Sequence, residues 1–315
     1  MSGQRSGLAR VGERAKIQGM EEVKSKRRPW VVYLLCLIPV WLLVSGGLGL
    51  WGYFQAQKVE EKKEAARFAS VVSAGSIADD FHKLAVVIGA RNSTVDEGKG
   101  LSRAASWIEG ILGPSNTGYA VGKTIVPGTG GWPILRVDLR GSDEKAAPLW
   151  IVTNYESPSD EKGIAEASSA VVSMIAAAQA LAGEKPRCPV RFVFLPEGHE
   201  SSAVMVGRFV KLVGEEAPAA AILCVGSMRG GEGLYLATMD SSNRALAVLG
   251  SLGEVQPVEK MRGTLAAALF ESGLPAVHVA ANSLKEAAPE TLEPEILAAS
   301  TGRLVALIRR LMMGK

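Results

Sequence analysis

Seven residues have types and spacing that could do chemistry: Asn154, Glu156, Glu166, Glu197, His199, Glu200 and Cys224. Asn154 and Glu156 close the apolar run "LWIVT". Glu197, His199 and Glu200 follow "FVFLP", and Cys224 lies within "AAAILCVGS". Carboxylates and imidazole gathered at strand ends can hold a divalent metal or move protons, and in open α/β sheets ligands bind outside the carboxyl ends of the strands. The same acids also have a plain reading, in which Glu166, Glu197 and Glu200 are solvated loop residues capping helix N-termini, where the dipole favours negative charge. A third arrangement is a remodelled single-metal site built from Glu166, His199 and Glu200.

Other chemistries find little support in the sequence. Gly118–Thr124, "GYAVGKT", is one residue short of a phosphate-binding loop, and it runs into "IVP" where a helix N-terminus is needed. It reads as a strand with an exposed lysine. No G-x-S-x-G elbow occurs. Cys188 and Cys224 read as small core residues, and their spacing leaves open whether they form a disulfide. His278 lies in "PAVHVAA", which reads as strand interior. The formal net charge of +3 is too even to suggest nucleic acid as a partner.

The elements that must position these residues alternate. "IADDFHKLAVV" and "GLSRAASWIEGIL" predict helices, and "YAVGKTIVP" and "ILRVDL" predict strands around the turn "GTGGWP". "PLWIVTNY" is a strand, followed by a polar loop and a helix from Ala167, "ASSAVVSMIAAAQALAG". Strand "CPVRFVFLPEG", helix "SAVMVGRFVKLVG" and strand "AAAILCVGS" follow. "NRALAVLGSLG" and "TLAAALFESG" come next, then strand "PAVHVAA" and the last helix "PEILAASTGRLVALIRRLM". Strands separated by helices of this length imply an α/β, three-layer α/β/α sandwich around a mostly parallel mixed sheet.

Ahead of this domain stands Trp30–Phe54, 25 residues without a charge. At about 1.5 Å per residue it crosses a hydrocarbon core of about 30 Å. Trp30 and Tyr33 at one end, and Trp51, Tyr53 and Phe54 at the other, suit the two headgroup belts. Eight basic residues precede it. The positive-inside rule then puts the N-terminus in the cytoplasm and the C-terminal domain outside it. The expected organisation is a basic cytoplasmic tail (1–29), a transmembrane helix (30–54), a juxtamembrane stalk helix (55–75) and the α/β domain (76–315).

From residue 76 onward the chain resembles the M28 family of zinc aminopeptidases. The resemblance rests on "LAVVIGARNSTVDEGKGLSRAASWIEGIL" before "GYAV", on "RVDLRGSDEKAAPLWIVTNYES", on the acid-bearing end of "FVFLPEGHE", and on "PETLEPEILAAS" before the last helix. The family holds two zinc ions with histidines and carboxylates, and a glutamate serves as base for the bridging water. Carried over residue by residue, the first ligand histidine falls on Asn154 and its companion aspartate on Glu156. The bridging aspartate falls on Glu166, with Ala167 beside it in place of an asparagine. The paired-glutamate motif falls within Glu197, His199 and Glu200, and the next aspartate on Leu223 or Cys224. The closing histidine falls in "NSLKEAAPE", which contains none, and His278 lies several residues too early to replace it.

The resemblance thus implies the frame of a zinc peptidase with most ligands changed. No cofactor is expected on this reading. The implied function is binding of a peptide-like ligand or a protein partner by a membrane-anchored, catalytically inactive domain. The alternative is a membrane-tethered metallo-aminopeptidase with a remodelled zinc site. A plain spacer role is the third.

Overall fold

The computed structural model describes residues 29–69, 71–125, 130–143, 145–197, 203–216, 218–281 and 292–314. It divides into two compact units, Met1–Lys58 and Val59–Lys315. The predicted apolar span and the first part of the predicted stalk lie in one helix, α1 (Pro29–Ala69), with Pro39 inside it. The expected stalk runs to residue 75, but α1 stops at Ala69 and Ala74 already begins the next helix. Its stretch Leu37–Ala56 is apolar and long enough to cross a membrane, and none of it is buried.

In the second unit, helix α2 (Ala74–His82) is capped by Ser73, whose hydroxyl accepts from Ser76 N. It runs into a π-helical turn, Lys83–Ile88. Then come α3 (Lys99–Leu112), β1 (Gly122–Ile125), β2 (Pro133–Leu139), β3 (Leu149–Asn154) and α4 (Glu161–Ala180). The chain continues through β4 (Val190–Leu195), α5 (Ala203–Gly214), β5 (Ala221–Val225), β6 (Leu234–Ala237), α6 (Arg244–Leu249) and β7 (Gly253–Val255). It ends with α7 (Leu265–Glu271), β8 (Ala276–Ala281) and α8 (Pro294–Met313).

The strands form one sheet in the order β1-β2-β4-β3-β5-β8-β6-β7. Its centre, β4-β3-β5-β8, is parallel, while β1, β2 and β6 add antiparallel pairings. A parallel centre needs cover on both faces, which is why β3 and β5 are buried almost end to end. Side chains alternate across the sheet. Leu149, Ile151, Leu223 and Val277 join the core shared with α2, α3, α4 and α8, whereas Trp150, Val152, Ile222 and Cys224 pack toward α5 and α7.

Several polar groups buried in this frame are tied down. Arg91 is fully buried, and its guanidinium donates to Tyr155 O (2.8 Å), Leu84 O (3.0 Å) and Gly89 O (2.9 Å). One side chain thereby fastens the π-helical turn to the segment after β3. Ser173 and Thr301 share a hydrogen bond of 2.7 Å between α4 and α8. Arg136 lies 5.3 Å from the Trp150 ring centroid and bonds Asp138 and Glu216, which joins β2 to the end of α5.

The first stretch of α4 corrects a sequence expectation. The helix starts at Glu161, not Ala167, because Asp160 caps it by accepting from Gly163 N at 2.9 Å. Glu166 therefore stands in the second turn of a helix and is not a loop acid capping its end. Strand β6 also departs from the sequence reading, which placed no strand at Leu234–Ala237.

Candidate functional site

The carboxyl ends of β3 and β5 open into a cleft of about 340 Å³, which His278 joins from the middle of β8. Asn154 enters it as the last residue of β3, and Glu166, Ala167 and Ala170 line it from α4. Cys224 lines it from β5, Tyr235 from β6 and His278 from β8, while Lys260, Gly263 and Thr264 form the opposite wall.

The segment after β5 is held rigidly over this cleft. Ser169 Oγ accepts from Met228 N at 3.0 Å and donates to Glu166 O at 2.7 Å. Ser300 Oγ bonds Met228 O at 3.0 Å. Gly226 lies directly against the imidazole of His278, since a Cβ there would fall 2.4 Å from His278 Cε1. Only a residue without a side chain permits that approach.

Each candidate residue can now be placed. Asn154, Glu166 and Cys224 come together at the cleft. Glu156 and Glu197 are half-buried and do not line it, and Glu197 lies close enough to Tyr155 to raise the phenol's pKa, although burial contributes more. Leu223 is fully buried on the other face of the sheet. His199, Glu200 and the segment 282–290 lie outside the described residues. Cys188 and Cys224 are both buried, free thiols.

His278 and Tyr235 were missed by sequence reasoning. His278 does sit inside a strand, as "PAVHVAA" suggests. It pairs with Cys224 of the neighbouring strand β5, which lines the cleft, and its side chain faces the same way. Alternation of strand side chains was the available signal. Tyr235 was missed because β6 was missed.

The electrostatics of the cleft floor are those of uncharged groups. Burial holds the His278 imidazole down to about 4, so it is neutral at physiological pH. Its Nε2 stands 3.4 Å from Tyr235 Oη. Burial pushes the Tyr235 phenol up, with the negative charge of Glu166 adding to the shift. The fully buried Cys224 thiol is pushed up well beyond the ordinary range and stays protonated. Glu166 has cations for company: Lys162 Nζ is 4.0 Å away, and its field acts on the guanidinium of Arg229.

Zinc would require several anionic or imidazole donors at about 2.0–2.3 Å. Among the described residues, no three His, Cys, Asp or Glu side chains converge in that way. Of the described lining residues, Asn154 offers a carboxamide, a poor zinc ligand, Cys224 a buried thiol, and Glu166 a carboxylate that faces Lys162.

No family model matches the sequence, and neither does any curated protein. Solved structures do match. The LapA aminopeptidase of Legionella pneumophila superposes with a TM-score of 0.63 at 16% identity, covering 80% of this chain and 74% of that one. LapB from the same organism gives 0.59 at 12% identity over 79% and 75%. A glutaminyl cyclase of Bacteroides thetaiotaomicron gives 0.55 at 12% identity over 78% and 98%. At such identities the likeness concerns the fold. The α/β domain of this chain has the zinc-aminopeptidase-like fold that its resemblance to the M28 family implies.

Proposed function

We propose that this chain is a membrane-tethered M28-like domain that has given up metal catalysis and acts by binding a peptide-like ligand in the cleft at the strand ends. One observation supports the reading: a cleft opens at the strand ends, and Asn154 and Cys224, to which the resemblance carries family ligand positions (the latter as Leu223 or Cys224), line it together with Ala167. A concave site with a few convergent polar groups is suited to ligand binding without any reaction. The exposed apolar stretch Leu37–Ala56 supports tethering by a single span. The excess of basic residues before it supports a cytoplasmic N-terminus. A protein partner reaching the same cleft through an extended segment belongs to the same reading.

Hydrolysis tests it. The full chain, purified in detergent, is offered aminoacyl and dipeptide substrates with added zinc and, separately, with a chelator. The reading expects no amino-acid release under either condition. Release that needs zinc and stops with the chelator would overturn it in favour of a tethered metallo-aminopeptidase with a remodelled site using Glu166, His199 and Glu200. Tethering is tested apart from this: alkaline carbonate should leave the chain in the membrane pellet, and its appearance in the supernatant would remove the anchor from the account.

A further inference from the structure

The floor of the cleft combines four side chains that are polar and uncharged. Asn154 offers a carboxamide that donates and accepts. His278 is neutral and offers one donor and one acceptor, and Tyr235 offers a hydroxyl that does both. Cys224 adds a protonated thiol. Only the Nε2 side of the imidazole faces a hydroxyl, at 3.4 Å, and no hydrogen bond reaches its other nitrogen among the described residues. Gly226 closes over the ring, so the imidazole cannot swing out of the floor without meeting backbone.

Two charges border the cleft, Glu166 on α4 and Lys260. Glu166 already faces Lys162 at 4.0 Å, and its field acts on the buried Arg229 as well as on Tyr235, so its charge is partly engaged within the protein. Lys260 is exposed, at the mouth. An ammonium head reaching Asn154 and His278 would lose its water for a carboxylate that already faces two cations, and a carboxylate head would lose its water with no cation on the floor, each costing more than desolvating a neutral amide. A neutral amide loses less and finds a partner for both its N–H and its C=O.

Resting on the reading of the cleft as a binding site, we infer that Asn154, His278 and Tyr235 recognise an uncharged carboxamide of the ligand, either an internal peptide group or an amide side chain, and not a free amino terminus or a free carboxylate. The ligand would then enter the cleft by a blocked end or by the middle of an extended segment.

Three probes that all carry an amide and differ in charge separate the possibilities: N-acetylglycinamide is neutral, glycinamide carries an ammonium, and N-acetylglycine carries a carboxylate. Saturation-transfer NMR with the full chain in detergent reads which of them contacts the protein. The neutral probe should give the strongest transfer, and Asn154→Leu should abolish it. Tyr235→Phe, which keeps the ring, should weaken it roughly 2- to 10-fold, the range for one neutral hydrogen bond. His278→Phe should also abolish it, and thermal melting confirms that each variant is folded. Stronger transfer to glycinamide or N-acetylglycine that depends on Asn154 would overturn the inference while leaving the cleft a binding site. Transfer to the neutral probe that survives both Asn154→Leu and Tyr235→Phe, or no transfer from any probe, would overturn it as well. Zinc-dependent hydrolysis, in contrast, would remove the underlying reading itself.

Discussion

Gly226→Ala tests the geometry of the cleft floor most sharply. A β-carbon at this position would stand 2.4 Å from His278 Cε1 and 3.1 Å from Nε2, where ordinary contacts begin near 3.4 Å. The imidazole would have to move by about 1 Å, an order-of-magnitude figure for relieving such an overlap in a packed site. The tilted ring of Tyr235 stands across from it, with centroids 5.7 Å apart. The backbone of Gly226 is itself in an ordinary region, so the cost is steric. Overpacking of this kind costs about 1–3 kcal/mol. For a domain of this size, each kcal/mol lowers Tm by about 2–4 °C, so a drop of roughly 2–12 °C is expected. Thermal melting of the full chain, followed by near-ultraviolet circular dichroism, reads the change. The double variant Gly226→Ala with His278→Ala should lose less than the sum of the two single variants, because removing the ring removes the clash. A single variant that melts within about 1 °C of the wild type, well under the expected shift, would refute the close approach. So would strict additivity in the double variant.

Three further outcomes follow from the frame and its buried groups. Arg91→Met strips hydrogen bonds from the carbonyls of Tyr155, Leu84 and Gly89 and should cost about 3 kcal/mol or more, read as a lower urea midpoint with an unchanged slope. Asp160→Ala removes the cap of α4 and should cost about 0.5–2 kcal/mol by the same measurement. The pH dependence involves two opposed groups. The folded pKa of His278, about 4, lies below its unfolded value of about 6.5, so its neutral burial loses stability as pH falls through that window. Asp80, raised to about 6 by burial and then by Asp79, favours the folded state as pH falls through the overlapping range down to its ordinary value. Asp80→Asn should therefore steepen the loss of stability between pH 6 and pH 4, measured by chemical denaturation at each pH. An unchanged or shallower slope would contradict the assignment.

Much of the fold was legible because parallel strands buried on both faces read as unbroken apolar runs. "LWIVT", "RFVFL" and "AAAILCV" are such runs, and each became a central strand. The long apolar segment before them was equally plain, since 25 uncharged residues have few alternative uses. The edges were harder. Strand β6 has four residues among glycines and gets its place from pairing with β8, a contact between distant segments that no local pattern announces. The start of α4 was hidden by Glu161, Lys162 and Gly163, which look like loop residues, although Asp160 offered a cap signal. Gly163 is needed there because a β-carbon would fall 2.5 Å from Pro158 Cγ.

The candidate site was legible in its outline and obscure in its floor. Asn154, Glu166 and Cys224 were found by carrying the family's motif onto this chain, and all three line the cleft. His278 was set aside because it comes too early for the closing histidine. Its contribution depends on strand alternation together with a glycine 52 positions away in sequence, Gly226, that leaves room for its ring. Sequence spacing carries no record of such a contact. The action of the Glu166 charge on the distant Arg229 is likewise a property of the packed molecule.

The central claim is that a zinc-peptidase frame here serves binding without the metal. Zinc content answers it most directly. The full chain, purified in detergent, is dialysed against micromolar zinc, freed of unbound ion and analysed for metal per chain by mass spectrometry. The account predicts zinc far below one ion per chain, unchanged by Glu166→Gln. One or two tightly held ions per chain, lost in Glu166→Gln, would contradict it.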